Sequence, residues 1–334
     1  MSFFAVLFAL LAEQLKPLSN LNPIHHGLTG WVRWAGRNFD AGADVHARVV
    51  WAITVVAPAA LMALLYVITD RYSTVLALAL DVGVLYLTLG FRQFSHHFTD
   101  IRDALEAGRE DRARELLAHW QNLDASELPR TEILRHVLEY SLLAAHRHVF
   151  GVFFWFVALS AVGLGPAGAV LYRMAEFASR YWSYRSQVTG VSTHDRLMGL
   201  SQQLFSLLDH VPARLTAFGF AVVGNFEDAI DAWRRHAVLW VRPNEGTILS
   251  AASGALGVRL GGQVAPQGAE QRDVSRTITQ GDAPDVIHAE GSTSGAPPQL
   301  AHLRSVVGLI WRSVVLWMLL LALLSLANRV GWAA

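Results

Sequence analysis

Arg173, Glu176 and Arg180 stand three and four residues apart, with Arg185 close behind and Tyr172, Tyr181, Trp182 and Tyr184 interleaved. On a helix that spacing puts Glu176 within reach of both Arg173 and Arg180, where such pairs form locally. A guanidinium is a planar fork suited to phosphate or carboxylate. Two readings follow. In one, Arg173, Arg214 and Arg259 anchor an anion in a polar cavity; in the other, the same residues are an ordinary solvated helical face. The run Gly254 to Gly262 has the backbone freedom of a phosphate-cradling nest. No Gly-Lys-Ser/Thr follows it, so it is not a Walker motif, and close helix packing is the favoured explanation for its glycines. The histidines come in groups: His25-His26, His96-His97, and His146 with His148. Adjacent helical residues point about 100° apart, so neither doublet alone makes a metal-binding face. Interfacial packing is expected of them, and no metal site is assigned. The chain has no cysteine, no Gly-x-Ser-x-Gly elbow and no His-Glu-x-x-His pair, which removes thiolate chemistry and leaves hydrolase chemistry without support.

What must position these residues is a membrane bundle. Hydrophobic residues make up 53% of the 334-residue chain and charged residues 16%, against about a quarter charged in ordinary soluble domains. Lys plus Arg and Asp plus Glu both number 27, so there is no basic excess to hold nucleic acid. Membrane lipid is the expected partner, with a homo-oligomer as a further expectation. The segment from Val49 to Thr69 is uncharged and predicts a transmembrane helix despite Pro58. Ser73 to Phe91 predicts a second, and its Asp81 should face the bundle interior and find a partner. The run Ser2 to Ala12 is short for a span and lacks signal-peptide flanks, so a retained, tilted or partly inserted helix is expected. Val149 to Tyr172 carries no charge and breaks at Gly163-Leu164-Gly165-Pro166. Val211 to Gly224 is too short for a clean span and reads as a re-entrant or cavity-lining helix. Ser305 to Asn328 is the last span.

These elements predict an all-α, multi-pass integral membrane helical bundle with about five inserted segments and a cytoplasmic helical insertion. The expected divisions are 1–91, membrane helices with a polar, irregular connection over 17–48; 92–148, the insertion; 149–262, the core; 263–299, a flexible loop; and 300–334, the terminal span. Within the insertion, one helix is expected over Ala104 to Trp120, with Glu110 paired to Arg114, and a second begins at Thr131. Arg33, Arg37, Arg48, Arg92, Arg102, Arg135 and Arg147 cluster on the side that carries the insertion. By the positive-inside rule that side is the cytoplasm of a bacterial inner membrane.

Five stretches, in order, carry a resemblance. They are Gly108-Arg109-Glu110 with Arg112-Ala113-Arg114; Glu139 leading to Phe153-Phe154-Trp155; Gly165-Pro166 through Tyr172-Arg173; Pro212-Ala213-Arg214-Leu215-Thr216; and Arg242-Pro243-Asn244-Glu245-Gly246 running into Gly254 to Gly262. Together they resemble the CobD/CbiB family of cobalamin biosynthesis membrane proteins. The opening run ending Ala12-Glu13, the Tyr181-Trp182 pair and Leu207-Leu208-Asp209-His210 look like the related AmpE proteins of β-lactamase regulation.

The CobD/CbiB resemblance implies formation of an amide between aminopropanol, or its phosphate, and a carboxylate of adenosylcobyric acid, with ATP and magnesium as cofactors. It implies a site containing Glu139, Arg173, Arg214, Asn244 and Arg259. Other acidic positions of the family depart here: Phe150 stands for an Asp, Glu176 and Ser179 for an Asn and an Asp, Phe205 and Ser206 for an Asp pair, and Asp209 for an Asn. Holding magnesium needs several oxygen ligands. The expectation is therefore a regulatory or ligand-binding homologue in envelope signalling, taking an anionic small molecule or corrinoid at Arg173, Arg214, Asn244 and Arg259. The alternative is the amide-forming enzyme, in which Glu139, Glu176 and Asp209 are the catalytic candidates.

Overall fold

The computed structural model describes residues 2–15, 23–39, 44–121, 124–189, 193–262 and 291–331. Among them the protein is helical, without a strand. Three helices are long and apolar enough to cross a membrane: Asp44–Tyr72, Arg130–Ala161 and Leu300–Ala327. Each exceeds the roughly 20 residues a hydrocarbon core requires. Two shorter apolar helices, α1 (Ser2–Leu15) and α5 (Thr74–Thr88), pack against each other beside them. The chain is thus an all-α membrane bundle.

The first long helix is α3 (Asp44–Trp51), a wide π-turn (Ala52–Val56) and α4 (Ala57–Tyr72). Pro58 is tolerated because the π-turn ends just before it. That places it in the first positions of α4, where its missing N–H is least costly. After the turn at Ser73, α5 carries Asp81 into the interior, as its charge demands. Asp81 Oδ1 is buried and makes no hydrogen bond to any described residue.

Two expectations for the polar regions are corrected. Residues 17–48 are not irregular throughout, since α2 (Pro23–Phe39) buries Val32 and Ala35 in a cluster with Ala175, Ala178 and Trp182. Gly27, Gly30 and Gly36 weaken its intrinsic helicity, and tertiary burial overrides that propensity. The helix expected over 104–120 is two: α6 (Phe91–Glu106) and α7 (Glu110–Gln121), parted where Gly108 takes φ 69°. Only glycine adopts that left-handed conformation without strain. The pair between Arg114 and Glu110 is present at 3.6 Å.

The second long helix joins α8 (Arg130–Ala145), a π-turn (His146–Phe150) and α9 (Gly151–Ala161). The Gly163–Pro166 break is a hairpin turn rather than a kink in one span, and α10 (Ala167–Thr189) folds back along α9. Glycine permits the contact. A Cβ on Gly168 would strike the Trp155 carbonyl, and one on Gly151 would strike the Tyr172 ring. The antiparallel register that brings 151 to 172 and 155 to 168 sets the site.

The apolar segment expected at 211–224 is the end of one long helix, α11 (Thr193–Val223), with Pro212 inside it. The polar start of α11 hid this continuity, because its first turns are rich in polar residues and bury only a few apolar side chains such as Leu197. Next come α12 (Phe226–His236), α13 (Pro243–Leu256) and α14 (Leu300–Gly331). A Cβ on Gly254 would collide with the Asp228 carbonyl, so the glycine-rich run serves the packing of α13 on α12. Of the loop expected over 263–299, residues 263–290 lie outside the described residues. The remainder is ordered and not loose: it runs beside the end of α13 through bridges Val258 to Ala296 and Gly261 to Ser292, and Thr293 is buried there.

Candidate functional site

The π-turn at His146–Phe150 widens the helix locally, so the consecutive side chains of His146 and Arg147 both reach one cavity of about 430 Å³. Such bulges recur at functional sites because they re-aim side chains. The opposite walls come from α10, α11 and the start of α13, which contribute Glu176 and Arg180, Ser206 and Asp209, and Asn244 and Glu245.

Asp209 is held by three elements. Its Oδ1 accepts from His146 Nε2 at 2.7 Å and from the Tyr172 hydroxyl at 2.7 Å. The other nitrogen of His146 meets Thr216 Oγ1 at 2.8 Å. One turn of α11 explains the placement. Pro212 has no N–H to offer the Leu208 carbonyl, and the Trp155 indole donates to that carbonyl instead at 3.1 Å. The proline thus docks α11 on α9 beside Asp209.

Two arginine–glutamate–arginine clusters frame the cavity. Glu245 Oε1 accepts from Arg147 at 2.7 Å and from Arg242 at 2.9 Å. Glu176, 2% exposed, lies 3.0 Å from Arg173 and 3.4 Å from Arg180. Pro243 occupies the first turn of α13, and Asn244 and Glu245 follow it, so the positive end of this helix dipole faces the same space. Asn244 donates to the Ser206 carbonyl at 2.8 Å and accepts from Arg214 at 3.4 Å. At the rim, partial burial raises the Tyr184 phenol above its ordinary pKa.

The residues singled out in the sequence divide accordingly. Glu176, Asp209 and Asn244 line the cavity. Arg173 and Arg214 stand behind it, holding Glu176 and Asn244. Arg259 is exposed beyond the end of α13 and does not line this cavity. Gly257, in the left-handed conformation, ends α13 and turns the chain away before Arg259. Glu139 also stands apart from this cavity. It is fully buried, takes Arg135 Nη1 at 3.1 and 3.2 Å and the Gly261 N–H at 2.6 Å, and does not line the cavity. Its work is to tie α8 to the chain after α13. Among the histidines, His97 stacks on Trp120 with ring centroids 5.6 Å apart and His96 is exposed, so neither joins His146. The side chains of His25, His26 and Arg185 lie outside the described residues.

Arg147, Arg242, Glu245, Tyr172 and Thr216 are the site residues that sequence reasoning passed over. Arg147 was visible only as a charge at a span end. Glu245 and Arg242 sit inside the Arg-Pro-Asn-Glu-Gly motif, where their spacing of three residues was the available signal.

Magnesium is not accommodated by these side chains. Glu176 and Glu245 are committed to arginines and one oxygen of Asp209 to His146 and Tyr172, and no group of three metal donors forms among the described residues.

The fold is a helical membrane bundle that encloses a buried, ion-paired cavity. The model for the CobD/Cbib protein family matches residues 7–289, and the chain belongs to that family. A cobalamin biosynthesis protein CobD of Stutzerimonas stutzeri is 31% identical over 242 residues, 72% of this chain and 71% of that protein. A protein of the same name from Chromobacterium violaceum is 33% identical over 187 residues, 56% of this chain and 57% of that one. The Leptospira interrogans CobD is 26% identical over 188 residues, 55% and 56% of the two chains. The chain therefore spans somewhat over half the length of the latter two relatives. No solved structure matches it.

Proposed function

We propose that this protein catalyses an amide-forming step of cobalamin biosynthesis, joining aminopropanol or its phosphate to a side-chain carboxylate of adenosylcobyric acid at a bacterial inner membrane. The observation that supports this reading is the convergence of Glu176 and Asp209 on one cavity with Arg147, Arg180 and Arg242. These carboxylates lie close in sequence to acidic positions that the resemblance led us to regard as lost, and the cavity brings them together with cations suited to an anionic substrate. Its volume, about 430 Å³, admits a small amine but not a whole corrinoid, so the macrocycle would remain outside and present one side chain. Nucleoside triphosphate would supply the activation.

The test is complementation of a strain lacking the cobinamide-forming step. Rescue that disappears with Arg147→Ala or Asp209→Asn, at undiminished membrane expression, supports the enzyme. Absence of rescue by the wild-type chain favours the second reading, a ligand-binding regulator of envelope signalling. One observation speaks for that regulator: the cavity carboxylates are already engaged by partners within the chain, an arrangement for binding rather than for holding a metal.

A further inference from the structure

Asp209 is only half used by its own chain. Oδ1 accepts from both His146 Nε2 and the Tyr172 hydroxyl, whereas Oδ2 makes no hydrogen bond with any described residue. Both Asp209 and His146 line the cavity. The surroundings fix the carboxylate through one oxygen and leave the other without a partner among the described residues. With the proton of a neutral imidazole on Nε2, the Thr216 hydroxyl donates to Nδ1 and the ring donates to Asp209, so the network is satisfied in one tautomer. His146 and Tyr172 are buried, at 2% and 0% exposure, and the Trp155 indole on the Leu208 carbonyl fixes the backbone one residue away. The result is an oriented carboxylate with one free oxygen in a space otherwise framed by arginines. The cavity has two chemical poles: the two arginine–glutamate–arginine clusters on one hand, and Asp209 on the other.

We propose that Asp209 Oδ2 is the subsite for the primary ammonium of the small substrate, and that His146, Tyr172 and Thr216 are positioning residues for it. The proposal rests on the amide-forming reading and gives it a nitrogen end. An ammonium is not a nucleophile, so a proton must leave before the nitrogen lone pair attacks. That proton passes to Oδ2. The nitrogen then attacks the acyl carbon of a carboxyl group activated as an acyl phosphate at the expense of a nucleoside triphosphate. The C–N bond forms, the C–O bond to phosphate breaks, and the phosphate leaves with that electron pair and the second proton from nitrogen. The arginine clusters hold the anionic end of the amine substrate, which orients it with its nitrogen at Asp209.

The experiment measures binding to the full chain in nanodiscs with two probes: aminopropanol phosphate and the same compound without its amino group, propanol phosphate. The wild type is expected to prefer the amine by about 10- to 100-fold, the range for a hydrogen bond to a charged group. Asp209→Asn, which keeps the shape, is expected to bind both probes alike while still binding propanol phosphate as the wild type does. Tyr172→Phe is expected to reduce the preference partway, and a merely structural role would weaken both probes together. Undiminished preference in Asp209→Asn overturns the ammonium subsite and leaves the amide-forming reading standing if that reading's complementation succeeds. A wild type that binds neither probe, or cannot complement, overturns both. Retained preference in Asp209→Glu, which keeps the charge, shows that loss in Asp209→Asn reflects charge rather than misfolding; equal loss in both variants overturns the assignment.

Discussion

Glu139 and Asp209 are both buried carboxylates with a cationic or donor partner, yet they stand for opposite uses of burial. Glu139 spends its oxygens on Arg135 and on the Gly261 N–H, away from the cavity that Asp209 lines. Asp209 gives one oxygen to His146 and Tyr172 and leaves the other at a cavity wall. A fully satisfied buried pair specifies how elements meet. A half-satisfied one, held rigidly beside empty space, is free to act on a ligand. The resemblance to CobD/CbiB proteins had grouped the two together as catalytic candidates, and only their hydrogen-bond partners separate them.

That contrast can be broken at Glu139 first. Glu139→Ala leaves the Arg135 guanidinium buried beside Glu132 alone, and the loss of one partner of such a pair costs about 3–5 kcal/mol. The expected outcome is poor membrane yield and a lowered Tm, measured by thermal unfolding in detergent. A variant that folds normally but fails to complement would place Glu139 in the chemistry after all. The second largest effect belongs to the cavity. Arg147→Ala removes a cation that lines the cavity; a charge-assisted bond from it to an anionic substrate is worth about 1.5–3 kcal/mol, so substrate binding should fall roughly 10- to 100-fold. Here Tm should move little, because Arg242 still holds Glu245. A smaller effect is expected from Gly168→Ala, which forces a methyl toward the Trp155 carbonyl and costs about 1–3 kcal/mol of overpacking. It should lower Tm and, by shifting α10 against α9, slacken the hold of Tyr172 on Asp209. The smallest belongs to Arg259→Ala, which should leave both stability and complementation unchanged. A tenfold loss of rescue there would return Arg259 to the site from which its exposure removes it.

The membrane helices were legible because an uncharged run of sufficient length has few alternatives. Val49 to Thr69 and Ser305 to Asn328 fall inside the helices observed. The Gly163–Pro166 break was legible as a break, but whether it kinked one span or reversed the chain was not. That depended on Gly151 and Gly168 letting α9 and α10 approach each other. The polar half of α11 carries little apolar periodicity, whereas α2 is amphipathic and was obscured by the low helix propensity of Gly27, Gly30 and Gly36.

The local pairs Arg173–Glu176 and Glu176–Arg180 could be read from spacing because i, i+3 and i, i+4 geometry is fixed by the helix itself. Partners distant in sequence could not. His146 meets Asp209 across 63 positions and Arg147 meets Glu245 across 98. The sequence by itself determined a helical membrane protein, its family resemblance and the ion pairs within single helices, since length, hydrophobicity and helical period are local properties. Which carboxylate is sealed, which is open to a cavity and which arginines face it were decided by tertiary structure alone. Burial and hydrogen-bond satisfaction exist only once helices far apart in the chain have packed together.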